Sequence, residues 1–410
     1  MQAFLTKNFS YVFLNFIAIL GFLLFHFTID LPARQDLIFS TPDATTYRDV
    51  AHWFAGGIET NSLSVRPLLY PFLLLISLKI GGTIAVFLMQ SFMWLAAINL
   101  SLASIHHITK NKIIAFVGAF VLFCNLSVMA LTAHAITEIT TIFLLSLTVF
   151  LITKNHRLHR EPKFLLQLLL MLTLLTLVKP VFYLPTVITL LLLIFFQRNT
   201  LIKAPKFFLI LCLILVPLLS QMTLMKMKYE HFTVSLVGSQ TFSRYFVTQG
   251  IEQIEKLEHQ KAVTKADGFS SGEKMGYLFE NRGVYLKNLH QNIKSNIQGE
   301  PIFLNFPAEY KNPAAIIFMD NYNELTYYLH VLMLILGIVM LVFFWRCKHY
   351  QNLIFLLVLL GLNSYYLIVS GVSFWQGDRL TLPSIAIWSV LYPALVFWTW
   401  HQFRSNKKST

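Results

Sequence analysis

The stretch RPLLYPFLLLISLKIGG, residues 66–82, decides how the rest of the chain is threaded. Between Arg66 and Lys79 its apolar run is only about 13 residues, short of the ~20 needed to cross a bilayer core. Counting it as a span would invert every later loop and put the basic ones outside. The stretch therefore reads as a juxtamembrane or re-entrant helix on the outer face. That reading places Asp43, Arg66 and Lys79 on one side of the membrane together.

Working outward, apolar runs predict transmembrane helices at residues 9–29, 83–105, 113–132, 138–153, 163–178, 181–197, 206–225, 326–345, 352–371 and 382–400, about ten in all. One set of connections holds Lys7; Lys110 and Lys112; Lys154, Arg157, Arg160 and Lys163; Arg198, Lys203 and Lys206; Arg346 and Lys348; and Arg404, Lys407 and Lys408. These contain a single acid, Glu161. The positive-inside rule puts them, and both termini, in the cytoplasm. The histidines of SIHHITK and NHRLHR share that face and read as interfacial charge. The opposite side collects the first outer loop, the HAITE turn, Lys179-Pro180, the segment 226–325 and WQGDR. The long segment shows helical apolar spacing at Ile251, Ile254 and Leu257 and again at Leu286, Leu289, Ile293 and Ile297, with a break around KADGFSSGEK. The expected organisation is a transmembrane module over 1–225 with its first outer loop at 30–82, a small extracytoplasmic helical subdomain over 226–325, and C-terminal transmembrane helices over 326–410.

Composition agrees with this class. A chain of 410 residues that is 56% hydrophobic and 12% charged, with mean hydropathy +0.62, is not an ordinary soluble domain. The runs lack the alternation of a barrel, so an all-α polytopic membrane protein is expected. A formal charge of +13 would point to nucleic acid in a soluble protein. Here it is orienting charge, and no nucleic-acid partner is expected. Cys124, Cys212 and Cys347 show no metal spacing and make no disulfide framework. The first apolar run lacks a small-residue cleavage site and reads as a retained signal-anchor helix.

Ionisable groups are nearly absent from mid-span, where they would mark an ion-coupled path. They gather instead at the outer ends of helices. In TPDATTYRDV, Thr41 can cap a helix, Pro42 suits its first position and Asp43 falls in the first turn. Taken alone, Asp43 fits a helix-start acid as well as it fits a general base. Tyr47, four residues on, shares its face, whereas Asp49 points elsewhere. Arg66 opens the short outer helix, where a cation gains nothing from the helix dipole; it suits either interfacial snorkelling or phosphate binding. Glu138 begins a span after Thr137 and also fits a cap pair. His134 reads as an interfacial histidine, Lys179 as a hairpin marker before Pro180, and Asp378-Arg379 as a turn pair. The constellation says more than its members: acids and cations at the outer ends of several helices could hold a phosphate while an acid activates a nucleophile.

PDATTYRDVAHWF followed by RPLLYPFLLLIS resembles the first outer loop of the GT-C glycosyltransferases that use polyprenyl-phosphate sugars, a group that includes protein O-mannosyltransferases and lipid A aminoarabinose transferases. TEITTIFLLSLTVFL, LLTLVKPVFYLPTV and GDRLTLPSIAIW resemble that group's later acid, basic and Arg-Tyr-x-Leu-Pro elements. The likeness spans about two-thirds of the chain in short, degenerate motifs. Ala44 stands where many relatives carry a second acid, Leu380 where tyrosine is usual, and one proline replaces two after Arg66. The resemblance implies catalytic roles for Asp43 and Glu138, and substrate binding by Tyr47, Arg66, Tyr70, Lys179, Asp378 and Arg379. It implies inverting transfer of one sugar from a polyprenyl-phosphate-linked donor to a hydroxyl of a glycan, lipid or protein acceptor, in a bacterial inner membrane. Some relatives hold a divalent metal between paired acids; with Ala44 in place, no metal or other cofactor is expected. The competing classes are a lipid or solute transporter or flippase, which would show mid-membrane polar sites and repeated halves, and an O-antigen or capsule polymerase or ligase.

Overall fold

The computed structural model describes residues 2–28, 35–58, 60–155, 161–299, 313–374 and 376–406. Every regular element among them is helical. Asp30, Glu59, Arg157, Arg160, Trp375, Lys407 and Lys408 lie outside the described residues. The helices are α1 (Gln2–Thr28), α2 (Pro42–Phe54), α3 (Leu69–Thr109), α4 (Lys112–Phe123), α5 (Leu126–Leu131), α6 (Glu138–Lys154), α7 (Pro162–Val178), α8 (Tyr183–Lys203) and α9 (Pro205–Tyr229). They continue as α10 (Val237–Thr241), α11 (Thr248–Glu255), α12 (His259–Gly268), α13 (Ser271–Glu280), α14 (Arg282–Ile297), α15 (Pro313–Arg346), α16 (Tyr350–Ser370) and α17 (Ile385–Asn406). Among the described residues, six helical segments are long and apolar enough to cross a membrane: Leu69–Thr109, Pro180–Lys203, Pro205–Tyr229, Pro313–Arg346, Tyr350–Ser370 and Leu382–Gln402. The chain has the character of an integral membrane protein. Tyr11–Phe27, Lys112–Phe123 and Pro162–Val178 are apolar but shorter.

The deciding stretch forms the first arm of α3, which is not one rod. Gly81 and Gly82 leave helical geometry, and Gly82 sits at φ 62°, ψ −147°, a region that only glycine enters without strain. Across this break the Tyr70 hydroxyl donates to Gln90 Oε1 at 3.3 Å, and Ser77 Oγ lies 3.2 Å from Met89 Sδ. A straight helix would hold the first pair about 30 Å apart. The arm 69–80 therefore folds back along 83–109 as a tight hairpin, and its rise of about 18 Å is too short to span. In a background lacking Cys124, Cys212 and Cys347, the pair Ser77→Cys and Met89→Cys is expected to crosslink on mild oxidation. A straight helix would separate the two thiols by about 18 Å and leave them free.

The other boundaries need two corrections. The run expected as one helix over 113–132 breaks after α4, because Asn125 caps a new start: its Oδ1 accepts from Val128 N at 2.9 Å. The helix expected from 326 begins at Pro313, so the boundary placed at 325 falls inside α15.

At the centre of the bundle stands α6, packed against α3, α7, α16 and α17. Its buried Thr141 and Thr148 hydroxyls donate to the carbonyls four residues back at 2.8 and 2.7 Å. Such self-satisfied hydroxyls suit a helix surrounded by protein, which needs less apolar surface than one facing lipid. Between α9 and α15, α10–α14 build a small unit around Val247, Ile251, Ala262 and Ala266. The expected break appears where α12 ends at Gly268 and a capping box of Ser270 and Glu273 starts α13.

That unit docks through α14 by polar contacts beside the apolar stripe read from sequence, of which Leu289, Ile293 and Ile297 are covered. Leu286 is exposed, while Asn288, Asn292 and Asn296 are buried. Asn292 Nδ2 donates to the Gly371 carbonyl at 3.0 Å, and Asn296 Nδ2 to those of Ser370 and Ser373 at 2.9 Å. These groups end α16, whose terminal carbonyls have no partner within the helix. Leu289 and Ile293 lie so close to Gly371 that a Cβ there would sit 2.6 Å from Ile293 Cγ1. Docking thereby fixes the linker that leads into the turn Gly377–Leu380.

Candidate active site

Asp43 arrives through a local device that its sequence announces. Thr41 caps α2, accepting from Ala44 N at 3.2 Å, and Pro42 occupies the first turn. Asp43 and Tyr47 then share one face. Arg66, in the loop before α3, donates from Nη2 to Asp43 Oδ1 and from Nε to Thr46 Oγ1 at 2.8 Å. Its guanidinium carbon lies 4.6 Å from the centre of the Tyr47 ring.

From the far end of the chain Arg379 reaches the same carboxylate. Its Nη2 donates to Asp43 Oδ2 while its Nε donates to Glu138 Oε1 at 2.8 Å. Lys179 Nζ reaches that same Glu138 oxygen at 3.3 Å. Lys179 is extended (φ −142°, ψ 110°), as a residue before proline tends to be, and the break in helix frees its side chain to turn inward. Arg66, Asp43, Arg379, Glu138 and Lys179 thus form a chain of alternating charge. Three cations face two carboxylates, leaving one net positive charge. Glu138 is 2% exposed at its side chain and Arg379 14%, so these are desolvated pairs rather than surface ones.

Burial alone would raise the Asp43 carboxyl, but Arg379 and then Arg66 outweigh it and hold the group at about 2. Asp43 is charged at every physiological pH, with both oxygens engaged. Glu138 Oε2 is less committed, meeting only the Thr137 hydroxyl, at 3.5 Å, among its described hydrogen bonds. The expected cap pair is therefore present only as this long contact.

All five charged residues, with Tyr47, line an open cavity of about 810 Å³, within the ~300–1,000 Å³ usual for small-molecule sites. Val178, Val181, Tyr366 and Val369 give it an apolar side. The segment 231–245 covers it, pinned to the Arg66 loop where Ser235 Oγ donates to the Val65 carbonyl at 2.8 Å and Leu236 N to that of Ser64 at 2.8 Å. Two residues singled out from sequence do not line the cavity. Tyr70 is fully buried behind it, edge-on to Tyr47 at 5.1 Å. Asp378 is buried as well and faces the other way, accepting from Ser127 Oγ at 2.5 Å and Asn323 Nδ2 at 3.2 Å. It anchors the turn that presents Arg379 and is not a solvated partner of it. His134 is no interfacial histidine either: it is fully buried, with Nδ1 3.0 Å from the Leu37 carbonyl.

Sequence reasoning missed three contributors. Gln90 takes the Tyr70 hydroxyl and donates to the carbonyls of Thr132 and His134 at 3.0 and 2.9 Å, fixing the turn before Glu138. Gln221 accepts from Leu68 N at 3.2 Å and donates to the Val234 carbonyl at 2.9 Å, tying the cavity cover to α9. Each is a lone amide within an apolar run, which was the available signal. The third, Tyr366, lines the cavity beside Lys179 and carried none. No family model matches the chain, and no curated protein or solved structure matches it either.

Proposed function

We propose that this chain is an inverting GT-C-type glycosyltransferase that moves one sugar from a polyprenyl-phosphate donor to a hydroxyl of an envelope glycan, lipid or protein. In this reading it crosses a bacterial inner membrane about ten times. Three further crossings are α1, α6 and α7, while α4 and α5 cross together as one broken span (112–131). Both termini are cytoplasmic, and the cavity faces outward. The supporting observation is Arg379 bridging Asp43 and Glu138 in a cavity that also holds Arg66 and Lys179.

The acceptor oxygen attacks the anomeric carbon, and the bond from that carbon to the phosphate oxygen breaks. The bonding pair leaves with the phosphate, whose new charge is stabilised by Arg66, Lys179 and Arg379 without a proton. The hydroxyl proton passes to Asp43. As it stands, Asp43 is too weak a base for this. A donor phosphodiester, however, competes for the same guanidiniums, and drawing them away raises the carboxylate's basicity. Donor binding thus prepares the base. The lipid tail has a way out beside Tyr183, which lines the cavity and also lies on the exposed side of α8.

Two measurements follow. Polyprenyl phosphate, the carrier product, is expected to raise the melting temperature of the detergent-purified protein, since it binds the folded state alone; no shift up to millimolar carrier would contradict the site. The acid limb of kcat is expected to lie at higher pH than that of kcat/KM, which reports the free enzyme with Asp43 held near 2. Coincident limbs would remove the donor-linked step.

A further inference from the structure

The cavity carries a second positive pole that the donor does not need. The five-residue charge chain has one net positive charge, enough for one phosphodiester. Arg244 lines the same cavity from the covering segment, on a single π-helical stretch, Phe242–Val247. Such stretches recur at functional sites, where the extra residue re-aims side chains.

Its bonding differs from that of the other cations. Arg244 Nε lies 3.6 Å from Asp267 Oδ2, beyond an ordinary hydrogen bond, and the side chains are 58% and 44% exposed. An exposed pair of this kind contributes little and is exchanged easily. Asp267 is itself held by Ser243 Oγ at 3.3 Å and is not on the cavity wall. Ser239, Gln240, Thr241 and Gln376 line the cavity with Arg244 and offer neutral hydrogen bonds. A guanidinium among such groups suits a carboxylate or phosphate.

We infer that a second anionic group, carboxylate or phosphate, enters this cavity on the acceptor or on the transferred sugar and is bound by Arg244. This rests on the transfer reading above. Arg244 is a specificity residue here, distant in role from the group that takes the proton.

The test uses a strain lacking the gene, complemented with the wild type, Asp43→Asn, Arg244→Gln or Arg244→Lys. Glycans, lipids and proteins are compared by mass spectrometry with fragmentation. The wild-type product is expected to carry a phosphate or carboxylate, and fragmentation assigns it to the acceptor or to the added residue. Arg244→Gln should lower the modified share at least about tenfold, as loss of a charge-assisted hydrogen bond does. Arg244→Lys should recover a substantial part of it. Purified Arg244→Gln should melt within about 2 °C of the wild type, because the side chain is half exposed. A neutral product, or full modification by Arg244→Gln, overturns this inference alone if the wild type transfers and Asp43→Asn does not. No sugar mass restored by any variant overturns the transfer reading, and this inference with it.

Discussion

Replacing Arg379 by glutamine is expected to lower transfer by at least about 100-fold, the usual cost of removing a group that stabilises charge in the transition state. The same change should lower the melting temperature, because it leaves two carboxylates facing one another with weaker neutralisation. Breaking a buried pair costs about 3–5 kcal/mol when the remaining charge has no partner. Here Asp43 keeps Arg66 and Glu138 keeps Lys179, so the stability loss should fall below that range. Arg379→Lys is the informative companion. Arg379 serves two acids at once, from Nη2 and from Nε. An ammonium is a point charge without that fork, so lysine should restore stability more than activity. Initial rates in isolated membranes, normalised to protein amount, and melting curves in detergent separate the two effects. Equal recovery of both by lysine would mean that Arg379 contributes charge alone.

Asp43→Asn is expected to lower transfer by about 100- to 10,000-fold, the range for a positioned general base, with the protein still accumulating in the membrane. Asparagine keeps an oxygen for one guanidinium but loses both the ability to take a proton and the charge that pairs with Arg66 and Arg379. The pH dependence of stability supplies an independent check. Because the folded carboxyl is held at about 2, against about 3.9 in an unfolded chain, the pairing stabilises the fold above roughly pH 4. That contribution is lost as pH falls from there toward 2. The gap in melting temperature between the wild type and Asp43→Asn should therefore be constant from pH 5 to 8 and shrink below about 4. The side chain is 27% exposed, so solvent screening keeps the gap small. Transfer by Asp43→Asn at the wild-type rate would remove Asp43 as the base.

Much of this site was legible because lipid restricts where charge can stand. Asp43, Arg66, Glu138, Lys179 and Arg379 are conspicuous in a chain that is 12% charged, and all but Asp43 lie at or near the end of an apolar run, where ionisable groups are tolerated. The Thr41–Pro42–Asp43 start of α2 is a local signal and was readable as such. The short run after Arg66 was readable from its length; the reversal at Gly81-Gly82 was not read, although the pair offers the backbone freedom it needs. What stayed hidden was set by partners far along the chain. Arg379 and Asp43 are 336 residues apart, and no periodicity predicts their meeting. Asp378 and Arg379 look like one pair, yet the tight turn sends them to opposite sides, because Ser127 and Asn323 capture the acid. On α14 the apolar spacing found Leu289 and Ile293, which pack on Gly371, but took in the exposed Leu286 and gave no sign of the buried asparagines beside them. The buried asparagines answer the open carbonyls at the end of α16, a demand that arises only once the two elements meet.

The most direct test of the central claim is a mass comparison of surface glycans, lipids and membrane proteins from a strain lacking the gene, complemented with the wild type or Asp43→Asn. Transfer of one sugar predicts a single sugar mass lost on deletion and restored by the wild type alone. An unchanged profile on deletion, or equal restoration by both versions, would contradict it.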